Sequence, residues 1–125
     1  MQTILALSSG AAVGAVLRHY LTLWSITHVG ARFPFGTLIV NLAGSFLLAI
    51  LMAYQHKYGT FSPETRLLLT TGFCGSLTTF STFSYETVAL MSEGRTMAAL
   101  TNIGANVVPS ILCVIAGLAV VEILS

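Results

Sequence analysis

The chain has 125 residues, of which 55% are hydrophobic and 7% charged, and its formal net charge is +1. Soluble domains carry roughly 25% charged residues, so this composition excludes a soluble globular protein. The absence of a basic stripe or tail excludes a nucleic acid as partner. The size and the mean hydropathy of +0.89 predict an all-α membrane protein with a single domain over residues 1–125.

Four apolar stretches follow one another along the chain, and each meets the roughly 20 residues that a membrane crossing requires. They cover about residues 3–28, 36–56, 67–92 and 97–124. The connections between them contain Gly, Pro and nearly all the charged residues, as is typical of turns. The sequence therefore predicts four transmembrane helices.

The first two spans each contain one polar side chain that is unusual at membrane depth. Arg18 is costly inside the first span unless it reaches the interface or pairs, and it is a candidate for an electropositive vestibule. Asn41 lies in the middle of the second span, and its amide can donate two hydrogen bonds. Asn41 is either a ligand-binding donor or a residue that joins two helices.

The third span contains the run TTGFCGSLTTFSTFS over residues 70–84. Gly72 and Gly75 each weaken a helix by roughly 1 kcal/mol relative to Ala, and the surrounding Ser and Thr weaken it further. A helix broken near residues 75–79 leaves carbonyl oxygens free to coordinate an ion, and a two-fold axis would double their number. The alternative is a continuous helix whose hydroxyls donate to the preceding turn.

After the expected break, Phe80 and Phe83 share one helix face, and Thr79, Thr82 and Glu86 form an adjacent polar line. The edge of a phenyl ring is positive, so rings beside hydroxyls can stabilise an anion without a full charge. The alternative is that the rings pack in the core or against lipid. Glu86 lies either on a polar pathway or within reach of the headgroups.

The fourth span carries Asn106 and Ser110 one helical turn apart, and Pro109 between them is expected to bend the helix. The loop charges are balanced across the membrane. Lys57 and Arg66 fall on the side of the termini, and two arginines, Arg32 and Arg95, fall on the other. This balance predicts a chain that inserts in both orientations and forms an antiparallel homodimer.

The segment GFCGSLTTFSTFSYE, Gly72 to Glu86, resembles the signature of the small fluoride channels of the Fluc or CrcB family. The second span, GTLIVNLAG from Gly36 to Gly44, resembles the second hallmark of that family, and Gly14, Ala15 and Arg18 fit its GAxxR motif in the first span. Order, spacing and length agree over the whole chain.

This resemblance implies an antiparallel homodimer in a prokaryotic inner or plasma membrane, with two passive pathways through which cytoplasmic fluoride leaves the cell. It implies one structural Na⁺, not transported, held by the backbone carbonyls of Gly75 and Thr78 from both subunits. Arg18 would draw fluoride to the entrance. The residues implied to line the pathway are Asn41, Phe80, Phe83, Ser81, Thr82, Ser110 and Glu86.

The competing class is a small proton-coupled multidrug antiporter, which is also short and four-spanning. Such an antiporter needs a carboxylate well inside a span, and Glu86 is the only candidate. An enzyme is not expected, because the sequence shows no recognisable arrangement of nucleophile, base and orienting group.

Overall fold

The computed structural model describes residues 1–125 and is entirely helical. It begins with two long helices, α1 (Gln2–His28) and α2 (Phe35–Tyr58). An irregular helical part follows, which consists of α3 (Pro63–Leu67), a π-helical stretch (Leu68–Cys74), α4 (Gly75–Leu77) and α5 (Phe80–Ser92). We call this part, residues 63–92, the third segment. A long helix, α6 (Thr96–Leu124), ends the chain.

The helices α1, α2 and α6 have 27, 24 and 29 residues and are apolar enough to cross a membrane. At about 1.5 Å per residue each is longer than the roughly 30 Å of a bilayer's hydrocarbon core. Their bounds lie within two residues of the first, second and fourth spans expected from the sequence. The helix α6 continues through Pro109.

The third segment starts at a well-defined helix cap. The Ser62 hydroxyl accepts from the Thr65 amide at 3.1 Å, and Pro63 occupies the first helical position, where its missing N–H costs nothing. The preceding helix α2 ends at Gly59, whose φ of +60° suits glycine. The connection between α2 and the third segment is therefore short and locally encoded.

Glycines let α1 approach the π-helical stretch closely. A Cβ atom at Gly10 would collide with the backbone carbonyl of Leu68, and one at Gly72 would lie 2.9 Å from the carbonyl of Leu7. Both collisions are with backbone, which has no rotamer to change. The Gly10-x-x-x-Gly14 motif is thus used for packing within one chain, while α2 packs along α6.

The core of one chain is small, with 22 of 125 residues buried. Large apolar side chains remain exposed along α1 and α6, among them Val16 and Tyr20 on α1 and Ile111 and Ile115 on α6. An exposed apolar surface of this extent needs lipid or another protein surface to cover it. The fold is therefore an all-helical one suited to a membrane.

Candidate functional site

The helical backbone of the third segment is interrupted at Thr78 and Thr79, which adopt extended conformations with ψ of 157° and 115°. In a continuous helix the Thr79 amide would donate to the Gly75 carbonyl, but here it donates to the side-chain oxygen Oδ1 of Asn41 at 2.8 Å. The Thr82 amide, which would donate to the Thr78 carbonyl, donates instead to the Thr79 hydroxyl at 3.3 Å. Two side chains therefore replace two helix carbonyls as acceptors.

The carbonyl oxygens of Gly75 and Thr78 accept no hydrogen bond within the chain as a result. A free carbonyl at membrane depth is stable only where it faces water, protein donors or a cation. Gly75 is exposed, and a Cβ atom built there meets nothing closer than the Thr70 carbonyl at 3.9 Å. The donor set therefore fits a hard cation such as Na⁺, which prefers oxygen ligands.

Some hydroxyls of the third segment do behave as in a continuous helix. Thr70 donates to the Arg66 carbonyl at 2.7 Å, and Thr78 donates to the Cys74 carbonyl at 3.0 Å. Ser84 forms the same kind of bond beyond the interruption. The hydroxyl of Thr79 does not, since it acts as the cap of α5. The hydroxyls of Thr70, Thr78 and Ser84 thus bond to the preceding helical turn, whereas the hydroxyl of Thr79 caps the helix that follows the interruption.

Asn41 on α2 is the residue that holds the interruption. Besides accepting from the Thr79 amide, it donates to the Thr79 carbonyl at 3.3 Å and to Oδ1 of Asn106 at 2.9 Å. Both of its N–H groups therefore have acceptors within the chain. The bond to Thr79 is long for an N–H···O hydrogen bond, so this N–H is the one that another acceptor can take most easily.

The chain of amides continues into α6 and α5. The Asn106 amide donates to the carbonyl and to Oδ1 of Asn102 at 2.9 and 3.0 Å, and the Asn102 amide donates to the Thr87 hydroxyl at 3.0 Å. Thr87 donates to the Phe83 carbonyl at 2.8 Å. Sequence reasoning missed Asn102 and Thr87, although the one-turn spacing of Asn102 and Asn106 in an apolar helix was a visible signal.

Phe80 and Phe83 lie side by side with their ring centroids 5.4 Å apart and their planes inclined at 55°. Their environments differ sharply, because Phe83 is 7% exposed and Phe80 is 76% exposed. A ring as exposed as that of Phe80 is not a core residue of a single chain.

Hydrogen bonds join only some of the polar side chains along α5. The Thr79 hydroxyl donates to the Thr82 hydroxyl at 3.0 Å and lies 3.4 Å from that of Ser81, and both Ser81 and Thr82 are exposed. Glu86 is one turn further along, where Oε1 accepts from the Thr37 hydroxyl of α2. Thr37 was not singled out by the sequence, because its partner is 49 residues away.

An open groove of about 770 Å³ brings several predicted site residues together. Arg66, which the sequence did not assign to a site, is the charged residue on its wall. The predicted residues on its wall are Asn41, Gly75, Thr78, Phe80 and Ser110, joined by Thr79 and Asn106.

The remaining predicted residues lie away from this groove. Glu86 lines a smaller pocket of about 210 Å³ together with Thr37 and two arginines of the loops, Arg32 and Arg95. Arg18 is half-buried on α1, contributes to neither cavity, and has no acidic partner in the chain.

Ser110 is distinguished by an unsatisfied hydroxyl. Its oxygen is buried and has no hydrogen-bond partner, although the residue belongs to the wall of the groove. A buried hydroxyl normally finds a partner, often in the preceding helical turn. The group is thus a free donor beside Asn106 and the interruption.

A multi-pass helical membrane protein with an interrupted segment and a groove without acidic side chains is the class that this geometry defines. The chain belongs to the family of CrcB-like proteins, described as Camphor Resistance (CrcB), whose family model matches residues 5–118. This family is one of membrane ion channels in prokaryotes and not of enzymes, which agrees with the class expected from the sequence.

Curated relatives cover nearly the whole chain. A fluoride-specific ion channel FluC from Rhizobium meliloti is 46% identical over 123 residues, which is 98% of both chains. FluC 1 from Methanosarcina acetivorans, also named a fluoride-specific ion channel, is 45% identical over 117 residues, 94% of this chain and 88% of its own. The FluC of Marinobacter nauticus is 49% identical over 110 residues, 88% of this chain and 86% of its own. The resemblance noted in the sequence is thereby confirmed.

Proposed function

We propose that this protein is a fluoride-selective channel that lets cytoplasmic fluoride leave the cell passively and so lowers its toxicity. The observation that carries the proposal is the interruption at Thr78 and Thr79, where hydroxyls, amides and the Phe80 ring share one groove without an acidic side chain. An anion pathway of this kind agrees with the names of the relatives, which describe them as fluoride-specific ion channels.

The functional unit is an antiparallel homodimer of dual-topology chains, with the third segment as a fourth, broken membrane crossing in each. Three features support this assembly. The groove is open on one side of a single chain, Phe80 beside it is 76% exposed, and the loop arginines and lysine are evenly divided between the two sides. A second copy seated on the groove would cover this ring and complete the enclosure.

One Na⁺ lies on the two-fold axis of the dimer, held by the carbonyls of Gly75 and Thr78 from both subunits. The free state of these carbonyls supports this assignment, since their usual amide donors are bound elsewhere. The ion supplies a fixed positive charge and holds the two interrupted segments together. It is not transported.

Each dimer has two fluoride pathways, in which the anion meets donors one after another. Arg18 attracts fluoride to the vestibule, and Asn41 and Ser110 donate hydrogen bonds near the interruption. Ring edges of Phe80 and Phe83 line the narrow part. The hydroxyls of Ser81 and Thr82 and the side chain of Glu86 form the polar track beyond the rings.

The free Ser110 hydroxyl and the long bond of Asn41 to the Thr79 carbonyl support this assignment of donors. Fluoride is small, strongly hydrated and a good acceptor, so closely spaced neutral donors can replace its water without holding it too tightly. Chloride is larger and gains less from the same donors. Selectivity thus follows from donor spacing and pore width.

The antiporter alternative receives no such support. Glu86, its only candidate carboxylate, accepts a hydrogen bond from Thr37 and lies in the smaller pocket, away from the interruption. None of the three relatives described above is named as an antiporter.

Anion efflux from liposomes tests the proposal. Purified protein is reconstituted with fluoride or chloride inside, a K⁺ ionophore removes the voltage, and ion-selective electrodes follow release. We expect fast fluoride release and negligible chloride release. Equal release of both anions, or release of neither, contradicts the proposal.

A further inference from the structure

The hydrogen-bonded amides between α2, α6 and α5 all donate in the same direction. Asn41 donates to Asn106, Asn106 to Asn102, and Asn102 to Thr87. Thr87 completes the series by donating to the Phe83 carbonyl. We call these four side chains the amide relay. Asn102 is fully buried, and Asn106 and Thr87 are 6% exposed, so water is not an alternative partner for them.

Backbone groups determine the direction of the relay at both ends. The Thr79 amide can only donate, which requires the oxygen of Asn41 to face it. At the other end the Phe83 and Asn102 carbonyls can only accept. Reversing one side-chain amide would bring two N–H groups or two oxygens together in a buried place, and an unsatisfied buried donor or acceptor is costly.

This direction decides what Asn41 offers to the groove. In the observed arrangement one N–H group of Asn41 donates to Asn106, and the other forms only the long 3.3 Å bond to the Thr79 carbonyl. In the reversed arrangement a lone pair of the Asn41 oxygen would take that place. An anion is stabilised by the first and repelled by the second.

We propose that Asn102 and Thr87 are positioning residues that, together with the Thr79 backbone, hold the Asn41 amide so that it presents a donor to the anion. Neither residue touches the groove, so they act through Asn106. This inference rests on the proposed function, since it assigns the relay a role in anion selectivity.

The test compares Thr87→Val, which keeps the shape and removes the hydroxyl, with Thr87→Ser, which keeps the hydroxyl. Thr101→Val is the matched control, because the Thr101 hydroxyl donates only within its own helix and is exposed. Fluoride and chloride efflux are measured in liposomes. The side-chain amide signals of Asn41 are followed by nuclear magnetic resonance in detergent micelles.

We expect Thr87→Val to slow fluoride efflux about tenfold, the factor that corresponds to one lost buried hydrogen bond, and to lower the fluoride-to-chloride ratio. Its Asn41 amide signals should shift, whereas Thr87→Ser and Thr101→Val should resemble the wild type in both readouts. Wild-type efflux, selectivity and Asn41 signals in Thr87→Val would overturn the proposal.

A second variant covers the case in which Thr87→Val does not assemble. Asn102→Leu removes the amide that joins Asn106 to Thr87 while filling a similar volume, and the same changes are expected. If the wild type itself conducts no fluoride, the proposed function fails. The Asn41 signals then still test the relay, because their shift in either variant does not depend on transport.

Discussion

The ring pair illustrates how one residue type takes two roles on the same helix. Phe83 is buried against its own chain, whereas Phe80 stands exposed at the rim of the groove. The sequence placed both rings on one face but gave no sign of this difference, because burial depends on α6 and on whatever covers the groove. The proposed role of Phe80 in the pathway can therefore be tested by comparing its substitution with that of another exposed ring that is not assigned to the pathway.

Tyr85 provides that comparison, because it lies on the same helix and is 77% exposed, against 76% for Phe80. We expect Phe80→Ala to slow fluoride efflux by up to about tenfold, since an aromatic edge contact contributes roughly 0.5–1.5 kcal/mol in favourable geometry. Tyr85→Ala should stay within about twofold of the wild type on the same scale. Equal effects of the two substitutions would assign Phe80 to lipid or packing contacts.

For Asn41, the sequence predicts that the residue has a role but not which residues it contacts. Its isolation in an apolar span indicated a functional or helix-joining role, and the structure gives it bonds to both Thr79 and Asn106. Its partners are 38 and 65 residues away in the chain, so no local pattern names them. The same is true of Thr37 with Glu86 and of Asn102 with Thr87.

At the scale of elements, the interruption is the feature that local composition comes nearest to predicting. Glycines and hydroxyl residues weaken the helix over residues 70–84, and the structure contains a π-helical stretch and then two extended residues there. The π-helical stretch was not expected. Its first residue, Leu68, lies against α1, where its carbonyl closely approaches Gly10.

A substitution at Gly75 tests the proposed contact between two copies of the chain separately from the fold of a single copy. Within a single chain a Cβ atom at Gly75 meets only the Thr70 carbonyl at 3.9 Å, and one at Gly104 on α6 meets nothing within 4 Å. We expect Gly75→Val to abolish the dimer and fluoride efflux, because the carbonyls of the partner would approach there, and Gly104→Val to preserve both. Size-exclusion chromatography with light scattering measures the assembly. A dimeric, active Gly75→Val would contradict the two-fold contact.

Removal of Na⁺ tests the ion site itself. In solutions where N-methylglucamine replaces Na⁺ during purification and assay, fluoride efflux should fall to the level of protein-free liposomes, and returned Na⁺ should restore it. Full activity after exhaustive Na⁺ removal would contradict a structural role for the ion.

At the scale of the whole molecule, a single chain leaves its groove and many apolar side chains uncovered. Its buried core is small, its groove is open, and α1 and α6 expose many large apolar side chains. Composition predicted the membrane environment and the long helices correctly. The sequence assigned Arg18 to a vestibule and Glu86 to a polar track, and in one chain neither residue lines the groove. These two assignments stay predictions.

Dual topology is tested by shifting the charge balance of the loops. Thr60 and Ala31 are exposed loop residues on opposite sides of the expected membrane. Thr60→Lys should fix the termini on the cytoplasmic side and Ala31→Lys should fix them outside, as reported by C-terminal fluorescent-protein and alkaline-phosphatase fusions. Each variant alone should lose fluoride efflux, and co-expression of the two should restore it. Activity of either variant alone in one fixed orientation would contradict the antiparallel dimer.

The most direct measurement of the central claim is the reversal potential of the purified protein in a planar bilayer. A fluoride gradient is imposed with equal chloride on both sides, and Na⁺ is present throughout. If the protein is a fluoride-selective channel, the current reverses at the equilibrium potential of fluoride and does not respond to an added chloride gradient. A reversal potential that follows chloride, or transport that appears only with a proton gradient, would contradict it.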